Sequence, residues 1–228
     1  SLVFHLRQER RQREGNLGLA PWVPSVSVVV PAYNEERVID ACVDSILRCG
    51  YPNLEVILVD DGSSDQTAQH MRAWAAASPL IRTILKPNGG KGSALNAGAR
   101  IAQGEILMFV DADGVFTSDT IPAMLRAFDD PQVGAVCGND RPINLDRVLT
   151  RFLALVSHVG TGMVRRALHL LNCVPVVSGN IGAFRADALL SVSSEIGPLR
   201  PDTIGEDLEL TWRLRLAGWR VAFQPDAI

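Results

Sequence analysis

Short apolar runs alternate with amphipathic segments along most of the chain. Within the fourth run, residues 106–110 are continuously apolar, which is typical of a strand that is covered on both faces. The runs fall at residues 26–30, 54–59, 81–85, 105–110 and 133–137. Segments with apolar residues at helical spacing separate these runs, at residues 35–47, 67–77, 91–101 and 118–128. This alternation predicts right-handed βαβ units and the α/β fold class, with a doubly wound, mostly parallel sheet.

The pattern becomes less regular after the fifth run. Residues 143–171 have apolar pairs at helical spacing and a basic opposite side that carries Arg147, Arg151, His158, Arg165, Arg166 and His169. Two interpretations are open: a helix packed on the sheet with a solvated basic face, or a helix that lies along a membrane surface. Beyond it we expect a loop and a short extended piece at 178–185, a helix that opens at 205–207, and a final strand at 219–223.

The fourth apolar run stops abruptly at two carboxylates, Asp111 and Asp113, which are separated by one alanine. Ligands of open α/β sheets bind at the carboxyl ends of the strands. Two hard oxygen donors there suit Mg²⁺ or Mn²⁺. A strand end closed by an ordinary turn explains the same residues, because Asp and Gly are both common in turns. Both interpretations are open for this stretch taken alone.

Acidic residues recur at comparable places along the chain. Asp60 and Asp61 follow the second run, and Glu206 with Asp207 begins the late helix. Carboxylates gathered at one sheet edge repel each other unless a cation or a hydrogen-bonding ligand compensates them, so several acidic strand ends indicate a site. For Glu206 and Asp207, compensation of the helix dipole is an alternative explanation.

A glycine-rich turn at 86–96 leads into the third helix and resembles a phosphate cradle. It is not a P-loop, because Gly92 rather than Ser or Thr follows Lys91. The sequence also lacks a GxGxxG fingerprint and a GxSxG elbow. These absences weigh against a Rossmann-type oxidoreductase and against nucleophilic hydrolysis.

Composition sets the outer limits. The chain has 228 residues, 47% of them hydrophobic and 21% charged, which suits one large folded α/β domain. A net charge of −3 gives no reason to expect nucleic acid. The four cysteines have no metal-ligand spacing, which favours a reducing compartment. No stretch approaches the roughly 18 apolar residues of a membrane span.

We divide the chain into residues 1–24, a basic linker or juxtamembrane segment, and residues 25–228, one α/β domain. The chain begins without methionine and ends directly after the last predicted strand. We therefore expect it to be a piece of a longer protein, cut short at its C-terminus.

Four stretches in order resemble the motifs of one family. They are Pro31-Ala-Tyr-Asn-Glu35, Val59-Asp-Asp-Gly-Ser-Ser-Asp65, Asn88-Gly-Gly-Lys91 with Ala94-Leu-Asn-Ala-Gly98, and Phe109-Val-Asp-Ala-Asp113. The family is the inverting family-2 nucleotide-sugar glycosyltransferases, which have the A-type fold, and the resemblance covers residues 25–226. Ser178-Gly-Asn180 and Gly205-Glu-Asp207 resemble the acceptor-side loop and the catalytic-base motif of its membrane β-glycan synthases. That branch makes hyaluronan, chitin, cellulose or poly-N-acetylglucosamine.

The resemblance implies a role for each matching residue. Tyr33, Glu35 and Asp61 would line the nucleoside pocket, and Lys91 would lie near the nucleotide. Asp113 would bind Mg²⁺ or Mn²⁺, while Asp111 would contribute to the metal or contact the ribose or the sugar. Asp207 would be the catalytic base. Ser178, Gly179, Asn180 and Glu206 would lie on the acceptor side.

The resemblance also implies the partners: a UDP-linked sugar, a glycan or lipid-linked acceptor, and a membrane reached through segments outside this chain, at the cytoplasmic face. Gly205 stands where the family usually has Thr, and a downstream Gln-x-x-Arg-Trp motif is missing. We therefore expect the acceptor and translocation elements beyond Ile228, and poor turnover by this piece alone. The alternative is a non-catalytic nucleotide-sugar-binding module that regulates a partner synthase, although mere sensing would not need Asp207.

Overall fold

A mixed sheet organises the computed structural model, which describes residues 22–139, 141–142, 148–156, 159, 162–200 and 205–227. Within these residues the sheet has seven strands. The strands are β1 Val26–Ala32, β2 Leu54–Asp60, β3 Ile81–Leu85, β4 Ile106–Val110, β5 Val133–Cys137, β6 Ile181–Arg185 and β7 Arg220–Phe223. The helices are α1 Ile39–Arg48, α2 Thr67–Ala77, α3 Lys91–Ile101, α4 Thr120–Arg126, α5 Val148–Val156, α6 Val164–Leu170, α7 Ala186–Val192 and α8 Glu206–Leu216.

The strand order is β3-β2-β1-β4-β6-β5-β7. Strands β3, β2, β1 and β4 run parallel to their neighbours, while β6 is antiparallel to both β4 and β5. The chain winds outward from β1 through β2 to β3 and then returns to β4 on the other side of β1. This reversal opens a crevice at the carboxyl ends of β1 and β4, which is where open α/β sheets bind ligands.

Helices cover both faces of the sheet, and this explains why its strands are rich in apolar residues. All seven residues of β1 are buried. Val28 belongs to a core with Ile39 of α1 and Met71 of α2. Val29 belongs to the core of the opposite face, with Leu95 of α3. A strand between two such cores has no side open to solvent, so β1 carries only one polar side chain, the buried Ser27, before it leaves the sheet.

The alternation of the first five strands with helices is confirmed, but the start of the first helix was predicted wrongly. Helix α1 begins at Ile39, and Glu35 and Glu36 precede it. Their backbone N–H groups donate to side chains of the next βα loop, Glu35 to Thr67 Oγ1 and Glu36 to Asp65 Oδ2. Because that loop satisfies them, these residues need no helical turn.

The later part of the chain differs more from expectation. The extended piece at 178–185 forms the central antiparallel strand β6, and α7 was not predicted. Within the pattern at 143–171 the structure describes helices α5 and α6, and residues 159, 162 and 163 between them are helical too, of the π type. Residues 143–147, 157–158 and 160–161, which include Arg147 and His158, lie outside the described residues, as do residues 1–21 of the basic segment. Among the residues described, no helix combines the length and apolarity needed to cross a bilayer.

Candidate active site

The loops that follow β1 and β2 are tied to each other. Asn34 adopts a left-handed backbone conformation (φ +59°), which asparagine tolerates better than most residues. Its N–H donates to Ser63 Oγ at 2.9 Å, and its Oδ1 accepts from Ser64 N at 2.8 Å. These contacts hold the flanking residues Tyr33 and Glu35 at the carboxyl edge of the sheet.

A cavity of about 400 Å³ lies in the crevice at that edge. It brings together the six residues for which the resemblance implied donor or metal contacts. They are Tyr33, Glu35, Asp61, Lys91, Asp111 and Asp113. The other lining residues are Pro31, Ala32, Asn88, Gly90, Ala94 and Ala112. Three loops and the first turn of α3 therefore converge on one site.

Asp61 anchors the glycine-rich turn. Its carboxylate is almost fully buried and accepts hydrogen bonds from Lys86 Nζ, from Gly89 N at 3.0 Å and from Gly90 N at 2.8 Å. Charge-assisted hydrogen bonds of this kind offset the cost of burying a carboxylate. Asp61 thus fixes the turn that leads into Lys91, in addition to bordering the cavity.

Lys86 is the site residue that the sequence analysis missed. The pairing register of β2 and β3 indicates its position. Asp60 pairs with Leu85, so Lys86 follows β3 directly opposite Asp61. The approach of the two turns is close. A Cβ at Gly62 (φ +79°) would lie 2.7 Å from Asn88 N. Only glycine combines that backbone conformation with that contact.

Lys91 and the two acidic residues after β4 form the middle of the site. Lys91 Nζ lies 2.5 Å from Asp111 Oδ1. Burial nevertheless raises the pKa of Asp111, and the neighbouring Asp113 adds to the rise. Burial also raises the pKa of Glu35, with further increases from Asp113 and Asp111. Each of these carboxylates is thus within electrostatic range of the others.

The donors at this point fit a hard divalent cation. Asp113 is exposed to the cavity, and Asp111 borders it. The described residues contain no group of three or more His, Cys, Asp or Glu side chains able to hold a metal by themselves. Mg²⁺ and similar ions are often held by one or two carboxylates together with substrate phosphates, and the pair satisfies that requirement.

The loop 178–180 joins this middle part to Asp207. Gly179 N donates to Asp207 Oδ2 at 2.8 Å, Lys91 Nζ donates to Gly179 O at 3.4 Å, and Asp111 N donates to Asn180 O at 3.4 Å. A Cβ at Gly179 would lie 2.5 Å from Asp207 Oδ2. The close approach of the loop to Asp207 therefore requires glycine at this position.

Asp207 lies in the first turn of α8, next to Glu206. Burial is the main cause that raises its pKa, and Glu206 raises it further, whereas Lys91 and the Gly179 N–H act in the opposite direction. Gly205 caps the helix with φ +90°, a conformation that favours glycine over threonine. This backbone conformation explains why glycine is accommodated at a position where the family that the sequence resembles usually has Thr.

A second cavity, of about 460 Å³, lies at the opposite edge of the sheet and is lined in part by Trp22, Glu105 and Arg185. The Arg185 guanidinium already donates to the carbonyls of Phe128 and Val133. Its role is therefore structural, and Asp61, Asp111, Asp113 and Asp207 do not line this cavity.

The comparisons with known proteins identify the fold as the A-type glycosyltransferase architecture, an α/β enzyme class. The family model described as "Glycosyl transferase family 2" matches residues 27–189. The chain is 30% identical over 204 residues to a poly-beta-1,6-N-acetyl-D-glucosamine synthase of Staphylococcus aureus, and 30% over 207 residues to that of Staphylococcus epidermidis. The two alignments cover 89% and 90% of this chain but only 48% and 49% of those relatives.

Two solved structures have the same fold. One is the mannosyltransferase PcManGT of Pyrobaculum calidifontis in complex with GDP-Man and Mn²⁺, with a TM-score of 0.75, 27% identity, and coverage of 98% of this chain and 64% of that one. The other is S. aureus TarS 1-349 in complex with UDP-GlcNAc, with a TM-score of 0.68, 22% identity, and coverage of 89% and 56%. The chain belongs to glycosyltransferase family 2.

Substitution of Lys86 by Met should destabilise the protein, because it leaves the buried Asp61 carboxylate without its cation. Breaking a buried pair in this way costs about 3 kcal/mol, measurable as a lower free energy of unfolding in urea. Arg48→Met is the matched control, since it removes the arginine of an exposed ion pair with Asp44 and should change stability by about 0.5 kcal/mol or less. Equal, small effects of both substitutions would contradict the anchoring role of Asp61.

Proposed function

We propose that this chain carries the donor site and the catalytic base of an enzyme that transfers a sugar from a nucleoside diphosphate, UDP, to a hydroxyl group of a glycan or lipid-linked acceptor. The single observation that carries the proposal is the arrangement around the crevice. Asp61, the pair Asp111 and Asp113, and Asp207 follow one another, and loop 178–180 contacts both Asp111 and Asp207. Donor and acceptor chemistry would thus meet at one point.

The comparisons support the finer parts of the proposal. Relatives are named as synthases of a poly-N-acetylglucosamine, and one structural neighbour carries UDP-GlcNAc. These names favour a UDP-sugar donor and a role in polysaccharide synthesis. The chain spans about half the length of the curated relatives it matches, so we assign the activity to the full-length protein, at the cytoplasmic face of the cell membrane. Residues 25–228 would be its catalytic domain, and residues 1–24 a linker or juxtamembrane segment.

The residues after β1 and β2 would bind the nucleoside. Tyr33 is half exposed and, with Glu35, borders one side of the cavity, while the turn anchored by Asp61 borders the other. Lys91 would bring positive charge to the diphosphate, since its ammonium group already lies between Asp111 and the loop at Gly179. This placement would hold the donor with its sugar directed toward Asp207.

Asp113 and Asp111 would hold Mg²⁺ or Mn²⁺. When bound, the metal would supply Lewis-acid stabilisation of the negative charge on the departing diphosphate. Asp113 is the stronger candidate ligand, because it is exposed to the cavity, whereas Lys91 engages Asp111. The neighbour in complex with GDP-Man and Mn²⁺ supports a divalent cation in this architecture.

Asp207 would accept the proton of the acceptor hydroxyl as the oxygen attacks the anomeric carbon. The new carbon–oxygen bond forms while the bond from that carbon to the diphosphate breaks, and the diphosphate leaves with the bonding electrons. The raised pKa makes the carboxylate a better base than an ordinary aspartate. The Gly179 N–H orients it through Oδ2, and Oδ1 is the atom we assign to the proton.

The two carboxylates should fail in different ways when substituted in the full-length protein. Asp207→Asn should reduce transfer by about 10²–10⁴-fold, the usual contribution of a general base, and leave nucleotide affinity unchanged. Asp113→Ala should instead weaken metal-dependent UDP binding. Incorporation of radiolabelled UDP-GlcNAc by membranes measures the first, and calorimetric titration of UDP with Mn²⁺ measures the second.

Asp119→Asn, at an exposed aspartate outside the cavity, is the matched control and should change neither quantity. Near-normal transfer by Asp207→Asn would show that the base is wrongly assigned. Nucleotide binding without transfer by the unsubstituted full-length protein, across a panel of nucleotide sugars, would favour a regulatory binding module instead.

Gly179→Ala tests whether the loop positions the base. The added methyl group would collide with Asp207 Oδ2, so the carboxylate must move. Transfer should fall by at least about tenfold, as misplacement of a catalytic group by an ångström can cost about 100-fold, while UDP affinity is unchanged. In an Asp207→Asn background the same substitution should cause little further loss, because both act on one group. Additive losses would contradict a role exerted through Asp207.

A further inference from the structure

The chain enters loop 178–180 through Val177, which is anchored in the core. Its side chain is buried and belongs to the core of one sheet face, together with Phe184 and Leu210. Strand β6 makes room for it, since a Cβ at Gly182 would lie 2.7 Å from Val177 Cγ1. The start of the loop therefore has a defined position relative to the sheet.

The segment then meets helix α8 at two points. Val177 N donates to Thr211 Oγ1 at 3.0 Å. Gly179 N donates to Asp207 Oδ2 at 2.8 Å. Thr211 and Asp207 are four residues apart and lie on the same face of α8. The bond to the proposed base thus has a second bond beside it, one helical turn further along.

The hydroxyl group of Thr211 makes two hydrogen bonds at once. The residue is fully buried, and Oγ1 donates to the backbone carbonyl of Asp207 at 2.6 Å. A bond to the carbonyl one turn earlier is common for a helical threonine. A hydroxyl has one hydrogen and two lone pairs, so a hydrogen that points to Asp207 O leaves a lone pair for the Val177 N–H. One side-chain atom therefore joins the loop to the backbone of the base.

The other contacts of the loop are longer. Ser178 N faces the sulfur of Cys137, a weak acceptor, at 3.5 Å. Lys91 Nζ and Asp111 N each donate to a loop carbonyl at 3.4 Å. The two bonds to α8 are shorter than these three, which favours α8 as the element that sets the position of the loop.

We propose that Thr211 is a positioning residue for the base, an inference that rests on the proposed function of Asp207. Its hydroxyl holds the loop at the distance from α8 at which the Gly179 N–H reaches Oδ2 and leaves Oδ1 for the acceptor proton. The tolerance is small, because a Cβ at Gly179 would already lie 2.5 Å from Oδ2. Without the hydroxyl, the buried Val177 N–H would lose its acceptor, and the loop would have to move to regain one.

Thr211→Val in the full-length protein is the direct test, because it replaces the hydroxyl by a methyl group. The kcat for transfer from UDP-GlcNAc should fall by at least about tenfold, since misplacement of a catalytic group by an ångström can cost about 100-fold. The KM for UDP-GlcNAc and the affinity for UDP with Mn²⁺ should stay unchanged.

Thr211→Ser keeps the hydroxyl and should retain most of the kcat that Thr211→Val loses. A merely structural role of the threonine predicts a different pattern. Donor affinity would then fall together with kcat, and serine would not rescue transfer, because it lacks the methyl group that packing requires.

Thr120→Val is the matched control. Thr120 is also fully buried, and its Oγ1 accepts from Thr117 N at 2.9 Å, but it lies outside the cavity. This variant should lose stability in urea and keep its kcat. Thr211→Ala is a second variant without the hydroxyl and should reproduce the loss of transfer if Thr211→Val does not fold. Retained UDP binding verifies that each variant is folded.

In an Asp207→Asn background, Thr211→Val should cause little further loss, because both substitutions act on one group. Near-normal kcat in Thr211→Val and Thr211→Ala, no rescue by Thr211→Ser, an equal loss in Thr120→Val, or additive losses would overturn this inference and leave the proposed function standing. Absence of transfer by the unsubstituted full-length protein would overturn both.

Discussion

Mutual repulsion of carboxylates is the constraint on which the site depends. The fold gathers Glu35, Asp61, Asp111, Asp113 and Asp207 around one crevice. Two lysines, at 86 and 91, and backbone N–H groups of three glycines, at 89, 90 and 179, offset part of that charge. Glycine is needed at 179 because a Cβ would lie 2.5 Å from Asp207 Oδ2, and it is favoured at 90 because the backbone has φ +84°. The compensation is incomplete: burial and the repulsion that remains raise the pKa values of Glu35, Asp111 and Asp207. The remaining negative charge leaves the site suited to a cation.

Much of the sheet and most of the site residues could be predicted from the sequence. Strand β4 is apolar throughout, so its end is sharp in the sequence, and the acids at positions 111 and 113 follow it, as Asp61 follows β2. Lys86 was missed because its role depends on the register of β3 beside β2, which no local pattern reveals. Strand β6 was predicted only as an extended piece, because Ile181-Gly-Ala-Phe-Arg185 is short and contains glycine, and burial between β4 and β5 fixes it.

Periodicity also left one question that only the structure answers. It predicts that a helix is amphipathic, but it does not say which face meets the protein. Among the α5 side chains that the structure describes, Thr150 and Ala154 are half-buried and Phe152 is exposed.

The central claim is that one base, Asp207, assists one displacement at the anomeric carbon of the donor. The most direct test is the anomeric configuration of the bond that the full-length protein makes from a UDP-α-linked sugar, read from the proton coupling constants of the isolated product. A single displacement from the face opposite the diphosphate predicts inversion, and hence a β-linked product. An α-linked product would require a second displacement or attack from the same face, and it would contradict the assignment of Asp207.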